Sequence, residues 1–193
     1  MNTVLITGGG ASGMAAALSA AASPETRVVL LERQARVGRK LLSTGNGRCN
    51  LTNLTCSPVH YHGEEASFVI PALAAYPPEK ILSWFRSLGL VVTEQSDGRV
   101  YPFSDTASSV LDVIRYALKS SGVSLHAGES VVSASFSGGR FHVRTASSAY
   151  EADRLIVACG GKAGGKVGGV SDGRSRLMAK PISPLLSTTL SCL

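Results

Sequence analysis

The stretch from Val4 to Glu32 constrains the fold more than any other part of this chain. An apolar run, Val4-Leu5-Ile6, leads into Gly8-Gly9-Gly10-Ala11-Ser12-Gly13. A small-residue stretch of helical character follows, and Val28-Val29-Leu30-Leu31 then ends on Glu32. Gly8, Gly10 and Gly13 fit a G-x-G-x-x-G spacing between a strand and a helix, with an acid about 20 residues further on. Each element has a physical reason. Gly8 permits a tight turn, Gly10 lets backbone approach a diphosphate, and Gly13 lets the helix lie close to the strand. The helix N-terminus adds unpaired N–H donors and a positive dipole end. Glu32 can accept hydrogen bonds from both ribose hydroxyls of an adenosine. The unit predicts a parallel α/β sheet that holds a dinucleotide.

With 193 residues, 44% of them hydrophobic, and 21 glycines, the chain can bury one real core and make many tight turns. The net charge of +6 is spread over Arg33, Arg36, Arg39, Lys40, Arg48 and the stretch 162–180, with no uninterrupted basic run. No aromatic-basic interleaving accompanies it, so the charge predicts a small-molecule substrate and a phosphorylated cofactor rather than a nucleic acid. Cys49, Cys56, Cys159 and Cys192 form no C-x-x-C pair, which predicts reduced thiols and no metal site. No run approaches membrane-spanning length, and the first strand begins almost at Met1. The expected compartment is the cytoplasm.

Helices are expected over Ala11–Ala22, Ala66–Ala75, Pro78–Leu88 and Thr106–Lys119. The third would bury Ile81, Leu82, Trp84, Phe85 and Leu88; the fourth, Val110, Val113, Ile114, Ala117 and Leu118. Strands are expected at 90–93, 123–126, 131–136, 140–145 and 154–158, with Ser137-Gly138-Gly139 as a hairpin turn. Two resemblances to other motifs fail on chemistry. Gly160 to Lys166 approaches a phosphate-binding P-loop, but Val167 stands where a magnesium-binding hydroxyl is needed. Tyr116 and Lys119 have the wrong spacing for a short-chain dehydrogenase.

Residues 33–57 form a long polar stretch with few strand or helix signals, and loops of that length are usually functional. Arg39 and Lys40 could neutralise a diphosphate. Asn46, Asn50, Thr52 and Asn53 could meet the polar edges of a bound ring, although the same residues also suit ordinary Asn-Gly turns.

The segment GRKLLSTGNGRCNLTN, taken with GGGASGMAAA, resembles the BaiN/RdsA family of bacterial NAD(P)/FAD-dependent oxidoreductases, also described as aminoacetone-oxidase-like flavoproteins. Gly98-Arg99-Val100-Tyr101-Pro102 and Ile156 to Lys162 continue the resemblance, with Cys159 where threonine is usual. It implies a Rossmann-like FAD-binding domain of the two-dinucleotide-binding-domain type, with a parallel central sheet and a small antiparallel β-meander. The implied function is flavin-mediated hydride transfer, with NAD(P)H as the expected donor and a small organic acceptor. By the same resemblance Gly8, Gly10, Ala11, Ser12 and Gly13 face the diphosphate, and Glu32 with Arg33 the adenosine ribose. Arg39, Lys40, Gly45 and Asn46 line the middle of the cofactor, with Arg48, Cys49 and Asn50 near the flavin. Val132 is expected as a backbone contact to adenine, and Ala158, Gly160 and Gly161 close over the cofactor. Residues 1–180 would form the FAD-binding domain, C-terminally incomplete, and 181–193 would begin an inserted substrate domain that is otherwise missing. The alternatives are a non-catalytic FAD-binding fragment and an NAD(P)-binding dehydrogenase.

Overall fold

The computed structural model describes residues 1–161. The near-P-loop residues 162–167 and the expected 180/181 boundary lie outside them. Backbone contacts divide the chain into two units, one of Met1–Leu41 with the chain from Arg115 onward, the other of Leu42–Ile114.

In the first unit, β1 (Asn2–Thr7), α1 (Ala11–Ala21) and β2 (Thr26–Glu32) form the expected β–α–β crossover. The strand order is β10-β1-β2-β6, where β6 is Ser124–Ala127 and β10 is Arg154–Val157, and every pairing is parallel. Leu5 stands level with Val29 on one side and Leu155 on the other. The chain leaves β1 toward β2 and returns later to β1's far side, so the order reverses at β1. In open α/β sheets that reversal leaves a crevice at the carboxyl ends of the strands.

Both sheet faces are covered, which is why β1 and β2 read as continuous apolar runs rather than alternating ones. Leu5, Val29, Leu31 and Leu155 share a core with Val143 and Ala152 of an antiparallel meander made of β7 (Val131–Ser137), β8 (Arg140–Thr145) and β9 (Ala149–Ala152). Ile6, Val28 and Leu30 alternate to the opposite face. There α1 buries Gly13, Met14, Ala17 and Leu18, positions one helical turn apart.

The strand expected at 123–126 is β6, and it extends the parallel sheet. The meander's third strand is β9, which alternation did not reveal because Ala149-Tyr150-Glu151-Ala152 holds only one strong strand former.

The second unit holds β3 (Thr52–Asn53), β4 (Val92–Glu94) and β5 (Arg99–Pro102) in an antiparallel sheet ordered β3-β5-β4. The expected helix at 66–75 is a 3₁₀ turn over Ala66–Val69 followed by a short α2 (Ile70–Ala75), with Pro71 in its first turn. Helix α3 (Pro78–Ser87) begins on Pro78. It stops where Gly89 takes φ +91° and the N–H groups of Gly89 and Leu90 donate to Arg86 and Phe85. Of its five expected core residues only Leu82 is fully buried; Trp84 and Phe85 are half-buried, edge to face at 4.9 Å. Helix α4 (Ala107–Ser120) buries Val110, Leu111, Ile114 and Leu118, and the division between the units falls within its length.

Candidate functional site

The three glycines of the turn after β1 have separable roles. Gly8 sits at φ +104°, and a Cβ there would lie 2.4 Å from the Ala158 carbonyl oxygen. A Cβ on Gly13 would lie 1.8 Å from the Gly8 oxygen. Both are therefore required by the protein's own packing. Gly10 is different. It is the N-cap of α1 at φ −76° and ψ −176°, a conformation open to any residue, and a Cβ on it would meet nothing within 4 Å. The fold alone does not ask for glycine at this position.

The first intrahelical bond of α1 runs from the Met14 N–H to the Gly10 oxygen at 2.9 Å, and no side chain caps the helix. The N–H groups ahead of Met14 thus stand at the end of a helix with no intrahelical acceptor, beside the open space over Gly10. That is the physical description of an anion cradle.

Glu32 closes β2 next to this turn. Its Oε2 accepts the Gly9 N–H at 2.6 Å and its Oε1 accepts the Gln34 N–H at 2.7 Å. The two bonds fix the carboxylate, and each oxygen keeps a lone pair for a hydroxyl donor. Gly9 is further tied by its carbonyl, which accepts the Gly38 N–H at 2.8 Å. The Gln34 and Glu32 carbonyls accept the N–H groups of Gly128 and Glu129, so the chain leading into β7 starts beside the acid. Val132 sits in β7 where the register shifts between Val131 and Ser133, and it is 55% exposed.

At the other side of β1, the Ala158 N–H donates to the Thr7 oxygen at 2.8 Å. The Cys159 Sγ lies 3.3 Å from Thr7 Oγ1, and burial pushes the thiol pKa up against the opposing effect of that hydrogen bond. Gly160, at φ +75°, and Gly161 are exposed and would meet nothing within 4 Å if given a Cβ. Ala11, Arg33, Arg39 and Lys40 are also exposed, and Ser12 is half-buried. Arg39 donates to Gln34 Oε1 at 2.7 Å.

In the second unit the polar stretch forms a tight structure of its own. Gly45, Asn46 and Gly47 take φ of +54°, +55° and +85°, and Cys49 takes +61°. A Cβ on Gly45 would come within 2.9 Å of the Asn50 nitrogen and 3.4 Å of the Tyr101 ring. The Arg48 guanidinium lies 4.1 Å from the centre of that ring and donates from Nε to Asp105 Oδ1 at 2.5 Å. Asp105 has a positive φ of +56°. Tyr101 and Asp105 were missed as partners of Arg48, because contacts so distant in sequence, 57 residues in the case of Asp105, leave no local signal. Asn50 Oδ1 is buried with no hydrogen-bond partner. Asn53 is not available for a ring edge in the way the sequence suggests, since its Oδ1 accepts both the N–H and the hydroxyl of Thr55 at 2.8 Å.

With this geometry in view, the family comparison is decisive: the HI0933-like protein Rossmann domain matches residues 2–185. The chain belongs to the HI0933-like family. The resemblance to BaiN/RdsA proteins read from GRKLLSTGNGRCNLTN is borne out, as is the Rossmann-like α/β fold.

Among curated relatives, the 3-dehydro-bile acid delta(4,6)-reductase of Clostridium scindens is 40% identical over 194 residues, covering 100% of this chain and 47% of that protein. The ribosomal RNA dihydrouridine synthase of Escherichia coli is 28% identical over 158 residues, covering 81% and 39%. The chain thus spans about half the length, or less, of the curated relatives it matches. Among solved structures, the 3-ketosteroid-delta4-(5alpha)-dehydrogenase from Rhodococcus jostii shares the fold, with a TM-score of 0.61 and 15% identity over 83% of this chain and 46% of that one.

The residues of the first unit fit an extended adenine dinucleotide on geometry alone: open space over Gly10, helix N–H groups facing it, and a fixed acid at the end of β2. Among the described residues no helix is long and apolar enough to cross a membrane.

Proposed function

We propose that this chain is the cofactor-holding part of an FAD-dependent oxidoreductase that reduces a carbon–carbon double bond in a small organic acceptor, with NAD(P)H as the electron source. One observation carries the reading. Gly10 is a glycine that the fold does not need, beside an uncapped helix N-terminus, and an approaching diphosphate supplies the reason for it.

Each residue then has a task. The N–H groups at the start of α1, from Ala11 to Gly13, bind the diphosphate. Glu32, held by Gly9 and Gln34, orients the ribose through its free lone pairs, with Arg33 beside it. Arg39 and Lys40 offset phosphate charge. The backbone of Val132, freed from regular pairing by the register shift, is the proposed adenine contact, and Ala158, Gly160 and Gly161 close over the dinucleotide. In the second unit Gly45, Asn46, Arg48, Cys49 and Asn50 are proposed to serve the ring end. When bound, the flavin supplies the hydride chemistry, and the chain supplies binding and orientation.

The names of two relatives support the double bond as the acceptor. A delta(4,6)-reductase and a dihydrouridine synthase both have names that describe adding hydrogen across a double bond. The test is a titration of the purified full chain with FAD, followed by absorbance and flavin fluorescence. Saturable quenching of the flavin, with visible bands retained after desalting, is the expected result. A colourless protein protected from unfolding by NAD instead would overturn the reading in favour of a pyridine-nucleotide dehydrogenase.

A further inference from the structure

We propose that the second unit holds a ligand site of its own, a cleft between helix α3 and the β3-β5-β4 sheet. Its ligand is a small aliphatic zwitterion with an ammonium at one end and a carboxylate at the other. The cleft measures about 300 Å³, enough for a small molecule. Its floor is apolar: Leu82 and Val100 are buried, and Leu54 and Val92 are half-buried. Its rim carries Glu79, Arg86 and Glu94, all exposed.

The positions of the rim charges follow from the elements that carry them. Glu79, Leu82 and Arg86 recur at helical spacing in α3 and lie on one face. Glu79 and Arg86 stand about 10 Å apart along the helix axis, with Leu82 between them. The chain reverses at Gly89, and β4 returns along the cleft with Val92 first and Glu94 after it. Glu94 is thus carried away from the Arg86 end, to a position level with Val100 on the neighbouring strand. The cleft offers carboxylates toward one end, a guanidinium at the other, and hydrocarbon between.

Among the described residues no ion pair or side-chain hydrogen bond engages Glu79, Arg86 or Glu94. Their charges remain for a ligand. An amine alone would meet Arg86 without a counter-charge, and a carboxylate alone would meet two like charges. A zwitterion with adjacent charges would leave the apolar floor uncovered. An aliphatic chain with its two charges held apart matches the cleft along its length. The site lies across β5 from the ring-end turn, since Val100 faces the cleft while Tyr101 faces Gly45 and Arg48. It therefore goes beyond the flavoprotein reading and does not depend on it.

Chemical-shift titration of the isotope-labelled full chain tests this with 6-aminohexanoate, hexylamine, hexanoate and glycine at fixed ionic strength. Saturable binding of 6-aminohexanoate is expected. Each compound lacking one charge or the aliphatic spacer should bind about fivefold more weakly, or worse. Arg86→Gln should abolish the preference for 6-aminohexanoate over hexylamine. Glu79→Gln combined with Glu94→Gln should abolish the preference over hexanoate. Urea unfolding of each variant checks the fold, and the comparison among ligands on the wild type needs no variant at all. Failure of 6-aminohexanoate to saturate, binding that glycine equals, or preferences that survive the substitutions would each overturn the proposal. FAD titration of the same variants should match the wild type. That titration tests the flavoprotein reading separately, whatever the zwitterion does.

Discussion

At the scale of single residues, the glycines after β1 show what a spacing motif can and cannot tell. The pattern of Gly8, Gly10 and Gly13 was legible in the sequence, but their division of labour needed coordinates. Gly8→Ala and Gly13→Ala each force a Cβ into backbone, at 2.4 and 1.8 Å respectively, and Gly8 adds a positive φ. Each is expected to destabilise the protein by about 1–3 kcal/mol, read as a lower midpoint in urea unfolding without any ligand. Cys159 gives a second residue-scale prediction. Burial raises its thiol pKa, so little thiolate is present near neutrality. Alkylation by iodoacetamide, followed by peptide mass spectrometry, should stay slow at Cys159 through pH 8 and quicken only above the ordinary thiol range. Rapid modification at pH 7 would contradict the packing described. The Arg48–Asp105–Tyr101 contact was illegible for the opposite reason: it joins residues far apart in sequence, and no local pattern ties Asp105 or Tyr101 to Arg48.

At the scale of elements, the chain reads well where one physical rule dominates. Strands β1 and β2, buried on both faces, and helix α4, with its apolar stripe at Val110, Ile114 and Leu118, lie where apolar pattern places them. Strand β9 and the placement of β6 were not legible, since short strands with few strand formers take their position from their partners. Helix α3 shows a milder failure, because its apolar pattern overstates burial and Leu82 alone is enclosed. Leu82→Ala is accordingly expected to cost about 2–5 kcal/mol, while Trp84→Phe should cost far less, a contrast that urea unfolding resolves. The join into β10 carries a pH signature. The Thr3 N–H donates to Asp153 Oδ2 at 2.7 Å, and that backbone bond holds the carboxyl below its usual range. A depressed folded-state pKa contributes stability that is fully present above the unfolded value, about 3.9, and is lost as pH falls through the folded one. Asp153→Asn should therefore flatten the acid limb of stability below about pH 4 and leave the dependence near neutrality unchanged.

At the scale of the whole molecule, the chain carries a Rossmann unit with its strand-order reversal at β1 and a second unit rich in left-handed backbone. It spans 47% of the length of the bile acid reductase it resembles, so binding is the property to measure before turnover. The most direct measurement uses Gly10, where the fold has room for a side chain and the proposed diphosphate does not. Gly10→Val changes a half-buried N-cap whose Cβ would meet nothing within 4 Å, and it should cost no more than about 1 kcal/mol of stability. In parallel titrations of wild type and variant with FAD, with thermal unfolding as the control, the account predicts a loss of affinity of at least about a hundredfold at nearly unchanged melting temperature. Equal FAD affinity in the two proteins would show that no diphosphate rests on this turn.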